Sequence, residues 1–178
     1  MINNFRNFDQ IKTNELFITR HKWFFPYYEL TDGQLVYGKL SYKSHWRKYA
    51  IIETAEGSWT IKHKGWFKCA MLLNKDDDQT IGTIEPQRWK RDTLLKLDNG
   101  FEATYLYKKL FTKALTLASA AQGDILQIIQ KPFGIKTPFK IQIDASPQKV
   151  NLNIPLFTLI GVNLILLRQA QAAAAVSA

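Results

Sequence analysis

At 178 residues, 46% of them hydrophobic and 13% aromatic, the chain is long enough for one domain with a substantial core and too apolar to be disordered. Its single cysteine excludes an internal disulfide framework and makes a reducing compartment the expectation. A formal net charge of +9 asks for an anionic partner: phospholipid headgroups, nucleic acid or an acidic protein.

The opening segment, Met1 to Phe8, lacks the apolar stretch of a signal peptide, so a cytoplasmic location is expected. Residues 1–22 read as a lead segment, with a short helix around Asn14–Ile18. From Tyr27 to Leu152 short alternating runs are separated by turn residues, the mark of an antiparallel meander rather than of βαβ units. Asp32-Gly33, Glu56-Gly57, Asn99-Gly100 and Gln122-Gly123 each precede a new run. Such pairs supply the positive φ of tight turns, and Gly100 is expected in a two-residue hairpin.

The expected strands are Tyr27–Leu30, Gln34–Tyr42, Tyr49–Thr54, Ser58–His63, Trp66–Leu73 and Thr80–Glu85. They continue with Asp92–Leu97, Phe101–Tyr107, Ala114–Ala120, Ile125–Gln130, Phe139–Asp144 and Val150–Ile154. Phe139, Ile141 and Ile143 alternate with Lys140 and Gln142, as in a half-buried strand. Cys69 sits in the apolar stretch Phe67–Leu73, the setting of a packed thiol rather than of a nucleophile.

The segment Leu156–Leu167 has no polar face, because Thr158, Asn163 and Arg168 fall at scattered angles around a helix. It must be surrounded by apolar matter on every side. Its unbroken apolar part, about 14 residues, falls short of the roughly 20 that a span needs. Arg168, Gln169 and Gln171 would lie in the lipid half of any such span, so a buried helix and no transmembrane span are expected.

A meander leaves two open edges, which closure removes. A barrel of about a dozen strands has a lumen too wide for side chains alone. The expected fold is therefore mainly β: a closed antiparallel barrel over residues 23–178, enclosing an apolar C-terminal α-helix at 156–175. Bulky Leu and Ile in one half of that helix, and alanine in the other, would suit a tapering interior.

The residues Tyr27–Gln34, the strand Phe139–Ile143 and the terminal run Leu156–Ala178 together resemble the tubby-like C-terminal fold. Tubby proteins, LURP-one-related proteins and phospholipid scramblases share that fold. The resemblance covers the chain from Trp23 onward and lies in the architecture. It implies a barrel around a helix and tilts the expected partner towards lipid. A scramblase's cysteine-rich patch and the tubby phosphoinositide signature are both absent, so no functional residue carries over.

No nucleophile elbow, phosphate-binding glycine loop, His-Glu-x-x-His motif or paired cysteine occurs. His21, His45 and His63 are widely spaced and flanked by lysine or aromatic residues, unlike metal ligands. Asp76-Asp77-Asp78 lacks the spacing of a calcium loop and reads as a solvated hairpin tip. A non-enzyme without cofactor is expected.

The turns carry the pattern. In an up-and-down meander alternate turns share an end, and splitting Ser58–Leu73 at Gly65 sorts them by charge. Acidic turns gather at one end. At the other lie basic turns that each carry an aromatic, together with the approach Arg20–Phe24 and the turn Lys131–Lys136. The anion-binding residues expected there are Lys43, Trp46, Arg47, Lys48, Arg88, Trp89, Lys90, Arg91, Lys108, Lys109 and Lys113. Tryptophan settles at headgroup level while Lys and Arg attract anionic lipid. The same pairing stacks bases and neutralises phosphates of single-stranded nucleic acid. The expectation is a monomeric domain binding peripherally to anionic phospholipid. Nucleic acid at the same rim, or a protein-interaction scaffold, are the alternatives.

Overall fold

The computed structural model describes residues 5–11, 13–43, 49–63, 70–87, 91–108, 114–144 and 152–176. After a 3-10 turn at Phe8–Gln10 the strands are β1 (Glu15–His21), β2 (Tyr27–Thr31), β3 (Val36–Tyr42), β4 (Tyr49–Thr54), β5 (Gly57–His63) and β6 (Met71–Lys75). They continue as β7 (Gln79–Pro86), β8 (Thr93–Leu97), β9 (Glu102–Lys108), β10 (Ala114–Ser119), β11 (Gly123–Gln130) and β12 (Phe139–Ile143). Helix α1 (Ile154–Val176) follows. Each strand pairs antiparallel with its sequence neighbours, and β1 pairs with β12 through Glu15 to Ile18, closing the barrel. Closure leaves no free edge.

Two expectations fail, and their errors cancel in the strand count. Asn14–Ile18 is not a helix: Glu15–His21 is the first strand, hydrogen-bonded to both β2 and β12, so the barrel begins before residue 23. Leu16 and Ile18 are buried in the core while Phe17 and Thr19 are half-buried, a period of two that a run this short hardly separates from a helical one. At the other end, Val150–Ile154 is not a strand. Leu152 and Asn153 lie outside any strand and Ile154 opens the helix, while Val150 and Asn151 fall outside the described residues. Asn153 caps α1, its Oδ1 accepting from the Leu156 N–H at 2.9 Å. An asparagine followed by proline in the first turn is a helix-start signal, and here it outweighs the alternation of Val150, Leu152 and Ile154.

The turn at β8–β9 is also longer than expected. Gly100 N–H donates to Leu97 O at 3.0 Å, and Leu97 N–H to Phe101 O at 2.9 Å. This is a three-residue loop ending in a left-handed glycine, φ +86°, rather than a two-residue hairpin. A Cβ at Gly100 would meet nothing within 4 Å, so a substitution there is penalised through the backbone alone. Gly100→Val should lower stability by about 1 kcal/mol or more in urea unfolding, and Gly100→Asn should recover much of it.

Helix α1 runs up the barrel axis. Residues Ile154 to Leu166 are buried, and its first turn meets the acidic turn at Glu56, whose carboxylate accepts from Asn153 Nδ2 at 2.7 Å. Tyr105 donates its buried hydroxyl to Phe157 O at 2.7 Å, and Tyr42 donates to Asn163 Oδ1 at 3.0 Å. The fit is close at Gly161, where a Cβ would stand 2.5 Å from Ile128 Cδ1 and 3.0 Å from Tyr105 Cε1.

The alanine half does not fill a taper. From Gln169 onward every described residue is exposed, and Val176 is 90% exposed. Thirteen buried helical residues span about 20 Å, and tilted strands of about five to eight residues enclose no more than that. The remaining turns of α1 therefore project from the barrel mouth. By length and mean hydropathy the whole helix could cross a membrane, yet its apolar half is the core of this barrel.

Candidate functional site

The strand directions place the connections after β1, β3, β5, β7, β9 and β11 at one end of the barrel, and those after the even strands at the other. The break between β5 and β6 falls between His63 and Met71, so the alternation of turns expected from a split at Gly65 holds. Asp32, Glu56, Asp76, Asp77, Asp78, Asp98, Asp124 and Asp144 lie in or beside the connections of the acidic end. Lys22, Lys43, Arg91, Lys131 and Lys136 lie in those of the basic end. Arg6, Lys75 and Lys96 at the acidic end, and Glu85 and Asp92 at the basic end, are local exceptions.

Of the expected anion-binding residues, Lys43 and Arg91 are described and both stand at the basic end. The Lys43 ammonium lies 5.1 Å from the centroid of the Tyr49 ring. Arg91 O accepts a hydrogen bond from the Arg168 guanidinium, which stacks 3.6 Å from the centroid of Tyr107 where α1 leaves the barrel. Lys108 ends β9 at the same end. Trp46, Arg47, Lys48, Arg88, Trp89, Lys90, Lys109 and Lys113 lie outside the described residues, as do Cys69, Phe111 and His45.

The structure adds residues absent from that set. Trp23, Phe24 and Phe25, in the β1–β2 connection, are 72%, 77% and 62% exposed. Phe133 and Ile135, in the β11–β12 connection, are 96% and 73% exposed. These two connections are neighbours because β1 lies between β2 and β12, and Arg20 N–H donates to Lys136 O at 2.7 Å across them. With Val176 at the tip of α1, every large exposed hydrophobic side chain among the described residues belongs to the basic end. Cations are set among the rings: the Arg20 guanidinium lies 5.3 Å from Trp23, and the Lys131 ammonium 4.8 Å from Phe17. The available signal was Trp23-Phe24-Phe25-Pro26 directly after Arg20-His21-Lys22, an apolar run too short and too close to proline for a central strand.

A cleft of about 450 Å³ opens beside this loop, lined by Lys22, Phe25, Pro26, Tyr27, Lys39, Ser41 and Tyr42. His21 stacks on the Tyr27 ring at 4.8 Å, and the ammonium groups of Lys22 and Lys39 lie 5.8 and 5.3 Å from its centroid. Lys22 and Phe25 both hold positive φ, at 59° and 53°.

The acidic end is tied down rather than left as a solvated tip. Asp77 accepts from the Tyr49 hydroxyl and from Thr60 Oγ1, and its carboxylate lies 2.5 Å from Lys62 Nζ. Lys62, then Tyr49, hold the Asp77 carboxyl down at about 2. Burial, reinforced by Asp32, pushes the Tyr37 hydroxyl up to about 12, and that hydroxyl donates to Asp32 Oδ2 at 2.7 Å. Because the folded pKa of Asp77 is depressed below 3.8, its contribution is complete above that pH and disappears as pH falls towards 2. Asp77→Asn should therefore lower the urea midpoint at pH 7, and the gap to wild type should narrow between pH 4 and pH 2. A gap independent of pH would show that the pairing of Asp77 with Lys62 adds nothing.

Among the described residues no group of three or more His, Cys, Asp or Glu side chains is placed to hold a metal ion. Comparison of the chain with family models, with curated proteins and with solved structures finds no match.

Proposed function

We propose that the barrel is a non-catalytic binding domain that associates peripherally with anionic membrane surfaces through its basic, aromatic end. The observation that carries this reading is the coincidence of two distributions. All large exposed hydrophobic side chains among the described residues, and the cations of the odd-numbered connections, occupy the same end. Each Lys or Arg near an anionic bilayer contributes about 1 kcal/mol, and aromatic rings at the interface add a part that salt does not screen. The tubby-like likeness belongs to the same proposal, and so does a monomer at the cytoplasmic face of a membrane. Single-stranded nucleic acid is the weaker alternative, because Ile135 and Val176 are aliphatic and offer no stacking surface to bases.

The test is co-sedimentation with phosphatidylcholine vesicles, with and without phosphatidylserine, across a salt series. Binding should require the anionic lipid and weaken as salt rises. Replacing Lys90, Arg91, Lys108 and Lys109 by Ser should remove most of the salt-dependent part. Trp23→Ser with Phe24→Ser should weaken binding by at least about tenfold at every salt concentration. A chain that ignores anionic vesicles at low salt yet binds single-stranded oligonucleotides would transfer the end to nucleic acid.

A further inference from the structure

We infer that the basic end selects membranes whose headgroups are loosely packed, through curvature or through small headgroups, a reading that rests on the membrane association proposed above. What carries it is how the exposed hydrophobic side chains are held. Trp23, Phe24 and Phe25 stand on the β1–β2 connection, and Phe133 and Ile135 on the β11–β12 connection. Both connections are braced from within. Lys22 and Phe25 hold a left-handed backbone, at φ 59° and 53°, and Pro26 fixes the return into β2. Backbone of that kind persists only where the surrounding structure enforces it. The Arg20 guanidinium lies 5.3 Å from the Trp23 ring, and His21 stacks on Tyr27 at the base of the loop. In the other connection Lys131 N–H donates to Pro138 O at 2.9 Å, and Ile135 N–H to Phe133 O at 3.0 Å. The bond from Arg20 N–H to Lys136 O joins the two connections, so five bulky side chains form one fixed wedge.

A braced wedge cannot flatten or feed its rings singly between lipids. Its side chains reach acyl chains only where neighbouring headgroups part to admit them together. In a flat, tightly packed leaflet that opening must be made against the cohesion of the headgroups. Curvature or small headgroups provide it beforehand, and association through buried apolar area is sensitive to both for that reason. Charge does not substitute for insertion here. Arg20, Lys22, Lys131 and Lys136 stand beside the wedge, while the carboxylates of Glu29 and Glu53, paired with His21 and Lys39, temper the local field. Attraction to anionic lipid therefore brings this end to a surface, and the five hydrophobic side chains decide which surface keeps it.

The experiment measures binding of the full chain, at equal accessible lipid, to phosphatidylcholine–phosphatidylserine vesicles of about 30 nm and about 200 nm diameter. Binding to the small vesicles should be at least about fivefold tighter. Large vesicles in which phosphatidylethanolamine replaces part of the phosphatidylcholine should recover much of that gain, because they loosen headgroup packing without curvature. Trp23→Ser with Phe24→Ser, and separately Phe133→Ser with Ile135→Ser, should weaken binding most on the small vesicles and so remove the size preference. These positions are exposed, and circular dichroism checks that each variant is folded. Lys131→Ser with Lys136→Ser should weaken binding to both sizes alike and preserve the preference. Equal affinity for the two sizes, a preference that survives loss of the rings, or one that ethanolamine headgroups do not restore would overturn the inference and leave membrane association standing. Failure to bind any of these vesicles would remove the membrane reading itself.

Discussion

A chain ending at Pro155 should fail to fold, whereas one ending at Arg168 should keep the barrel. The first truncation removes Leu156, Phe157, Leu159, Ile160 and Val162, none more than 3% exposed, together with Leu164 to Leu166. Burial of each such side chain is worth about 1.5–3 kcal/mol, so their sum reaches the entire net stability of about 5–15 kcal/mol that a domain has. It also leaves the lumen of a twelve-strand barrel without its filling, and Tyr105 and Tyr42 without their acceptors on the helix. Among the described residues the second truncation removes only exposed ones, because Gln169 to Val176 lie outside the barrel. It retains Arg168 on Tyr107. Circular dichroism and urea unfolding of the two proteins decide the matter. A cooperative transition in the shorter chain would mean that the strands close without the helix.

Leu159→Asp should be the most damaging single substitution on α1. Leu159 is fully buried, and its Cδ1 stands 3.0 Å from where a Cβ on Gly38 would be, with no space for water between helix and wall. Further along the helix Tyr42 donates to Asn163 Oδ1, and the buried Asn163 amide N–H, which has no partner, is neutral and offers an aspartate no counter-charge. An aspartate at 159 is forced to protonate or to disrupt the packing, at a cost of about 4 kcal/mol or more. Leu159→Met keeps volume and polarity and should cost less than about 1.5 kcal/mol. Chemical denaturation of both variants at pH 7 gives the comparison. An aspartate tolerated as well as the methionine would place this face of the helix in water.

Much of the barrel was legible in the sequence, for physical reasons that can be located. Alternation in Phe139–Ile143 and the turn glycines at Gly33, Gly57, Gly100 and Gly123, all of positive φ, mark local geometry with local chemistry. The sorting of turns by charge followed from strand parity, which needs only the break after His63. What stayed hidden depends on distant partners. The strand Glu15–His21 exists because β12 pairs with it from the far end of the chain. The alanine half of α1 lies outside because the strands are short, a length no residue of the helix encodes. The approach Arg20–Phe24 was legible as part of the basic end, but how far Trp23, Phe24 and Phe25 stand out from it depends on the closed wall beneath them. The cleft needs Lys39 of β3 and Lys22 from the β1–β2 connection, which the sheet register brings together.

The most direct test of the central claim is the depth of each end in a bilayer. Nitroxide labels attached through Phe24→Cys, Phe133→Cys and, at the opposite end, Asp124→Cys, each with Cys69→Ser, report collision with oxygen and with a soluble nickel chelate. On adding phosphatidylserine-containing vesicles, the labels at 24 and 133 should gain oxygen contact and lose contact with the nickel chelate, while the label at 124 should stay in water. Equal changes at both ends, or a buried label at 124 beside solvated ones at 24 and 133, would contradict the orientation on which the account rests.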